Sequence, residues 1–279
     1  MASSIGLNRR QVLTTLAAGA AAARKVVADT DGALHFVALD HVAIAVTDVD
    51  RAVAFYSRIF GNTVLKDNRS TRRYLKLGPC YVAIAPPAEG QPAHRVDHIC
   101  VGIDGFEMTS VKRSLEALGL KPRETQVGWF VADPDGIQLQ FFKMNSWNDL
   151  GATATAEQIP ASSVIFPPAG LDHVLLRVSD LPRSEQFYAK LFGPVTQRNS
   201  NGRIFFQAGR SRIAVTAADA THPVGVDHFC VLSPKFDYDA VIKKLEAAGA
   251  RTQPPEVAGA PEFHDPENIL VQVMAPRTA

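Results

Sequence analysis

The stretch Leu39-Asp40-His41-Val42-Ala43-Ile44-Ala45-Val46 returns as Leu171-Asp172-His173-Val174-Leu175-Leu176-Arg177-Val178, with each residue 132 positions further on. The same offset carries Phe55-Tyr56 to Phe187-Tyr188, Phe60-Gly61 to Phe192-Gly193, Asp133-Pro134 to Asp265-Pro266 and Gln140 to Gln272. A period shared by so many positions marks a duplicated unit. Within each copy the opening restarts once, at Val96-Asp97-His98 and at Val226-Asp227-His228, so four modules each open on Asp-His.

Each module reads in the same order. Leu39 to Val46 is apolar enough for a strand, and Asp48 to Phe60 has a polar start, apolar spacing at Val49, Val53, Tyr56 and Phe60, and Gly61 as its stop, the pattern of a helix. Three short strands follow, near Thr63 to Lys66, Thr71 to Leu77 and Tyr81 to Ala85. The second module repeats this with a strand from Asp97 to Ile103, a helix near Thr109 to Leu118 and strands up to Phe142; Asp133-Pro134-Asp135-Gly136 is the turn before its last strand. Asn148 to Gly170 lacks periodicity and reads as the connection between copies.

Alternate residues of a strand share a face. His41 therefore sides with Ala43 and Ala45, opposite Val42, Ile44 and Val46, while His98 sides with Cys100 and Gly102, and Gln140 with Gln138 and Phe142. Taken singly, each histidine reads better as a hydrogen-bonded core residue or an exposed one than as a ligand. Four of them at matched module positions, with a glutamine at the matched place in each closing strand, point to a polar site in each copy.

As a set, the Leu-Asp-His-Val openings, Phe-Tyr followed by Phe-Gly, and Asp-Pro before the closing strand resemble the vicinal oxygen chelate superfamily of glyoxalases, bleomycin resistance proteins and extradiol dioxygenases. The resemblance implies an α+β fold of two tandem domains, 34–147 and 170–276, joined by a linker, 148–169. Each domain would consist of two βαβββ modules closing a half-open, eight-stranded bowl with helices on its convex face. It further implies a divalent metal, Fe(II) first, with Mn(II), Zn(II) or Ni(II) as alternatives, held by His41, His98 and Gln140 in one bowl and by His173, His228 and Gln272 in the other. The expected activity is that of an extradiol dioxygenase on a small substrate with two adjacent oxygens. A glyoxalase-type isomerase, epimerase or lyase, and a drug-sequestering protein without turnover, are the alternatives.

This chain departs from the family at the closing strand, where Gln stands in both copies in place of the usual Glu. An amide can ligate through its carbonyl oxygen but adds no negative charge, which leaves a bound cation its full 2+ charge and favours anionic substrates. Tyr81 and His264 are the candidate proton donors or acceptors, Arg177 and Gln138 the candidate substrate contacts. Leu175, Arg177, Leu232 and Leu270 make the second bowl the more crowded one, so the first is the expected seat of chemistry, whereas the resemblance to ring-cleaving relatives, which use their C-terminal domain, points to the second. Cys80, Cys100 and Cys230 have no metal or disulfide spacing and are assigned no function.

With 29 Lys+Arg against 28 Asp+Glu in 279 residues, the chain has no net field for a nucleic-acid backbone. At 46% hydrophobic and 20% charged, its composition is that of a globular protein. The segment 1–33 differs: Asn8-Arg9-Arg10-Gln11-Val12-Leu13 leads into an Ala-rich apolar run ending near Ala23, and no acidic residue precedes Asp29. It resembles a twin-arginine export signal, with a plain N-terminal tail as the competing reading. The expectation is a periplasmic or secreted protein, off the membrane after export, monomeric or homo-oligomeric.

Overall fold

Strand β1 (Phe36–Ala45) carries the first Asp-His and lies at the middle of its sheet, with one face turned to the helices and the other to an open bowl. The computed structural model describes residues 34–159, 164–234 and 236–276, so the expected signal at 1–33 lies outside the described residues. After β1 come α1 (Val49–Phe60), β2 (Val64–Asp67), β3 (Arg73–Leu77) and β4 (Cys80–Ala85), then β5 (Arg95–Ile103), α2 (Met108–Ala117), β6 (Arg123–Thr125), β7 (Gly128–Ala132) and β8 (Gln138–Lys143). The short α3 (Trp147–Leu150) and β9 (Ala154–Glu157) lead to the second copy. It contains β10 (Gly170–Val178), α4 (Leu181–Phe192), β11 (Gln197–Arg198), β12 (Ile204–Ala208), β13 (Ser211–Ala217), β14 (Gly225–Leu232), α5 (Tyr238–Ala247), β15 (Arg251–Gln253), β16 (Glu262–His264) and β17 (Leu270–Met274).

The two sheets run β6-β7-β8-β5-β1-β4-β3-β2-β9 and β11-β12-β13-β10-β14-β17-β16-β15. In each, the opening strands of two modules pair antiparallel at the centre, β1 with β5 and β10 with β14, and each pairs in parallel with its own module's closing strand. This is the expected pair of βαβββ bowls. Asp48 caps α1 by accepting from the Arg51 amide, and Asp180 caps α4 in the same way through Arg183. Val42, Ile44 and Val46 join the main core with Val53, Tyr56 and Phe60 of α1, whereas Ala43, Tyr74, Tyr81 and Ala83 form a separate small cluster on the bowl side. The period-two division of β1 therefore separates core from site. Among the described residues no helix is long and apolar enough to cross a membrane.

Within the connecting segment, Ala154–Glu157 adds a ninth strand by pairing with β2, and Arg73 bonds Glu157 across the sheet. The segment's small residues carry no alternation, so pairing comes from its backbone, which covers an otherwise open edge.

The main core runs through both copies. At their boundary Tyr56 donates to Asp265 Oδ2 at 2.9 Å and Tyr188 donates to Asp133 Oδ2 at 2.9 Å. Thr47 binds Glu267 and Ser179 binds Asp135 in the same reciprocal way. The repeated Phe-Tyr and Asp-Pro motifs thus clasp each copy's first helix to the other copy's last turn.

Candidate metal centre

Pairing register lines up one row of side chains across each bowl. In the first it runs Tyr81, His41, Cys100, Gln140, Phe130 over five adjacent strands. In the second it runs Arg212, His173, Cys230, Gln272, Glu262. The rows agree at their centre and differ at both ends, and His98 and His228 sit on the same strands as the cysteines, two residues earlier.

Each histidine is set by the aspartate before it. Nδ1 lies 2.9 Å from Asp40 in His41, 2.9 Å from Asp97 in His98, 2.7 Å from Asp172 in His173 and 2.8 Å from Asp227 in His228. Such a carboxylate holds the proton on Nδ1 and leaves Nε2 with a lone pair for a ligand. These aspartates therefore serve as hydrogen-bond partners of the imidazoles. Burial pushes the His98 pKa down and that of His173 to about 4, so both rings stay neutral near pH 7. Asp227 is held near 2: burial works to raise it, but the bonds from His228 and Arg177 outweigh that.

Both glutamine amides are tied down by nitrogen. Gln140 Nε2 donates to the Val127 carbonyl at 2.6 Å, and Gln272 Nε2 donates to Glu262 at 2.8 Å. The carbonyl oxygens are thereby presented to the bowls. Gln140 Oε1 lies 3.0 Å from His41 Nε2, while Gln272 Oε1 is buried and has no hydrogen-bond partner among the described residues. His173 Nε2 and His228 Nε2 are 3.3 Å apart. Two ligands each about 2.1 Å from one ion lie about 3.0 Å apart at right angles and about 3.4 Å apart at the tetrahedral angle. In each bowl one pair of donor atoms, His41 Nε2 with Gln140 Oε1 and His173 Nε2 with His228 Nε2, has the spacing of two ligands to one divalent cation. Gly128 makes the first arrangement possible: its φ is +97°, and a Cβ there would come within 2.2 Å of the Phe141 carbonyl, so only glycine lets β7 start beside Val127.

The bowls differ in the size of the cavity they hold. The first holds a cavity of about 590 Å³ whose lining includes His41, His98, Gln140, Tyr74, Tyr81 and Phe130. Tyr81 stacks on His41 at 4.4 Å and its hydroxyl meets Ser146 Oγ at 3.0 Å, which in turn bonds Asp40. Burial drives the Tyr81 pKa far up, so this hydroxyl remains protonated. In the second bowl Leu175, Phe205 and Ala214 pack into a buried cluster, and Arg212 lies over Phe205 while bonding Asp172 at 2.7 Å. The second bowl also holds a cavity, of about 430 Å³, whose lining includes Arg177, His228, Glu262 and Leu270.

Arg177 lies inside the second bowl, bound to Asp227 at 2.6 Å. His264 stands at that bowl's mouth with Gln253 and the Asn268 carbonyl as partners. Gln138 lines the cleft between the copies, not the first cavity, with its amide on the Gly136 carbonyl. Arg212, Glu262 and the cysteines are further members of the rows, to which the sequence reading assigns no place. Cys100 sits between His41 and Gln140 in the register, yet burial pushes its thiol pKa well up, so it is a neutral thiol.

The profile of the Glyoxalase/Bleomycin resistance protein/Dioxygenase superfamily matches residues 38–141 and again 170–273. A probable trivalent organoarsenical cleaving enzyme of Bacillus subtilis (strain 168) is 23% identical over 141 residues, covering 47% of this chain and 93% of that protein. Among solved structures, the Mn(II)-bound glyoxalase from Novosphingobium aromaticivorans has a TM-score of 0.63 at 17% identity, covering 87% of this chain and 83% of its own. The homoprotocatechuate 2,3-dioxygenase from Arthrobacter globiformis has a TM-score of 0.65 at 17% identity, covering 88% and 82%. With both copies matched by one profile and the expected fold in place, the chain belongs to the Glyoxalase/Bleomycin resistance protein/Dioxygenase superfamily.

Proposed function

We propose that this chain is a metal-dependent enzyme of the extradiol dioxygenase type, acting in its first bowl on a small substrate with two adjacent oxygens. The observation that carries the reading is the pair His41 Nε2 and Gln140 Oε1, 3.0 Å apart and lining a cavity of about 590 Å³. A divalent cation held by His41, His98 and Gln140 would supply Lewis acidity toward the adjacent oxygens and, as Fe(II), the capacity to reduce dioxygen. Similarity to a dioxygenase and to a Mn(II)-bound glyoxalase supports such a metal.

The chain's own residues contribute position and charge. Stacking by Tyr81 and the Asp40 bond fix the plane of His41, and the Tyr81 hydroxyl, bonded to Ser146 Oγ whose own proton goes to Asp40, ties that aspartate in place. Tyr74, Phe130 and Phe142 wall the cavity with apolar surface suited to a flat ring. Arg72 and Arg123 stand in its lining, where guanidinium forks suit an anionic substituent. Dioxygenase chemistry is favoured over base-driven isomerisation because the lining carboxylates are already engaged: Asp97 with His98 and Arg95, Asp149 with Lys143. Export through a twin-arginine signal, which would deliver a folded, metal-loaded protein, belongs to the same proposal.

An oxygen electrode tests it. Protein loaded anaerobically with Fe(II) should consume oxygen with a catechol, and a yellow ring-opened product should form. His41→Ala should abolish uptake and His173→Ala should retain it. Metal-dependent turnover without oxygen would transfer the activity to the isomerase or lyase class, and aromatic binding by metal-free protein without turnover would replace it with sequestration.

A further inference from the structure

We propose that Glu262 is the positioning residue of a second and tighter divalent-cation site, formed in the second bowl by His173, His228 and Gln272. The inference rests on the reading above only in that both bowls use the same imidazole and amide donors.

Three observations in the second bowl converge. His173 Nε2 and His228 Nε2 face each other at 3.3 Å while both Nδ1 atoms are bonded to carboxylates. With the protons on Nδ1, two lone pairs oppose one another, an arrangement that needs positive charge between them. Gln272 Oε1 is a buried acceptor without a partner among the described residues, which costs free energy unless a cation or donor satisfies it. Glu262, only 2% exposed, then supplies negative charge beside the trio. It accepts from Gln272 Nε2 at 2.8 Å, from Gln253 Nε2 at 2.8 Å and from the Glu256 amide at 3.1 Å, all neutral donors.

The ion pairs of the guanidiniums on this side of the sheet go to other carboxylates, Arg212 to Asp172, Arg177 to Asp227 and Arg203 to Glu256, although Nε of Arg203 and of Arg212 has no hydrogen-bond partner among the described residues. A buried carboxylate that meets only neutral donors is compensated best by a cation. Glu262 also fixes which end of the Gln272 amide faces the imidazoles, since its bond to Nε2 turns Oε1 the other way. The first bowl has Phe130 at this register position and anchors Gln140 on a backbone carbonyl instead. The carboxylate missing from the closing strand is thus present one strand over, in the second bowl alone. The second bowl should therefore hold its cation more tightly than the first.

The test is a Mn(II) titration of the full, chelator-stripped chain, with free Mn(II) read by electron paramagnetic resonance. Wild type should show two classes of site; His173→Ala should remove the tighter and His41→Ala the weaker. Glu262→Gln preserves volume and a hydrogen-bond acceptor, and should weaken the tighter class by about 10- to 100-fold, the range typical of outer-shell partners, while leaving the weaker class unchanged. An unchanged tighter class in Glu262→Gln would overturn the proposal, as would binding confined to the class that His41→Ala removes. Should Glu262→Gln fail to fold, the affinity order of the two single histidine variants decides: a tighter site surviving in His173→Ala than in His41→Ala would sink it. Absence of binding at both classes would overturn the metal reading of both bowls.

Discussion

The Tyr56 hydroxyl donates to the Asp265 carboxylate at 2.9 Å across the boundary between the copies, and the duplication reproduces this bond as Tyr188 to Asp133. Both partners are buried in each case. Tyr56→Phe or Tyr188→Phe removes a hydrogen bond to a charged acceptor and should cost about 1.5–3 kcal/mol. Urea denaturation should show similar losses for the two variants, because the bonds are equivalent by repeat.

The clasp also sets a pH dependence. Burial raises the Asp265 pKa despite the bonds it accepts from Ile269, Tyr56 and Glu267. A carboxyl group whose folded pKa lies above its unfolded one contributes stability that is complete below the unfolded value and is lost as pH rises through the folded value. The stability gap between wild type and Asp265→Asn should accordingly shift against wild type from pH 3 toward neutrality. Denaturant midpoints of the two proteins across that range check the sign.

Arg212 seals one end of the second row by bonding Asp172, and both side chains are largely buried. Arg212→Met keeps much of the volume but removes a hydrogen bond between a charged donor and the buried Asp172 carboxylate, so it should destabilise the protein by about 1.5–3 kcal/mol. A loss under about 1 kcal/mol by chemical denaturation would contradict a stabilising role for the Arg212–Asp172 pair.

Much of this architecture is legible in the sequence because duplication fixes the register. Period two alone separates His41 from Val42, and the matched Phe-Tyr and Asp-Pro motifs mark module boundaries. Their role as a clasp is not legible, since it crosses from one copy to the other and joins positions 209 residues apart in one direction and 55 in the other. Arg212 escapes comparison because the repeat slips by one residue at β13: offset 132 sets Tyr81 against Ile213, whereas its structural counterpart is Arg212. Glu262 lies in a strand of three residues, too short to alternate. The offset does place it opposite Phe130, and a charge opposite a partly buried aromatic is the signal that could have found it.

Gln140→Glu would restore the family's usual carboxylate to the first bowl. One of its oxygens would then face the Val127 carbonyl where an N–H now donates. Metal-free Gln140→Glu should unfold at a lower temperature than wild type, and Mn(II) should raise its midpoint by more than it raises that of wild type. Calorimetry with and without Mn(II) measures both.

Metal content addresses the first bowl most directly. Wild-type protein, purified without chelator and analysed for iron, manganese, zinc and nickel, should retain a divalent ion, and His41→Ala should lose one equivalent relative to wild type while remaining folded. Equal metal content in His41→Ala and wild type would contradict a cation at His41, His98 and Gln140.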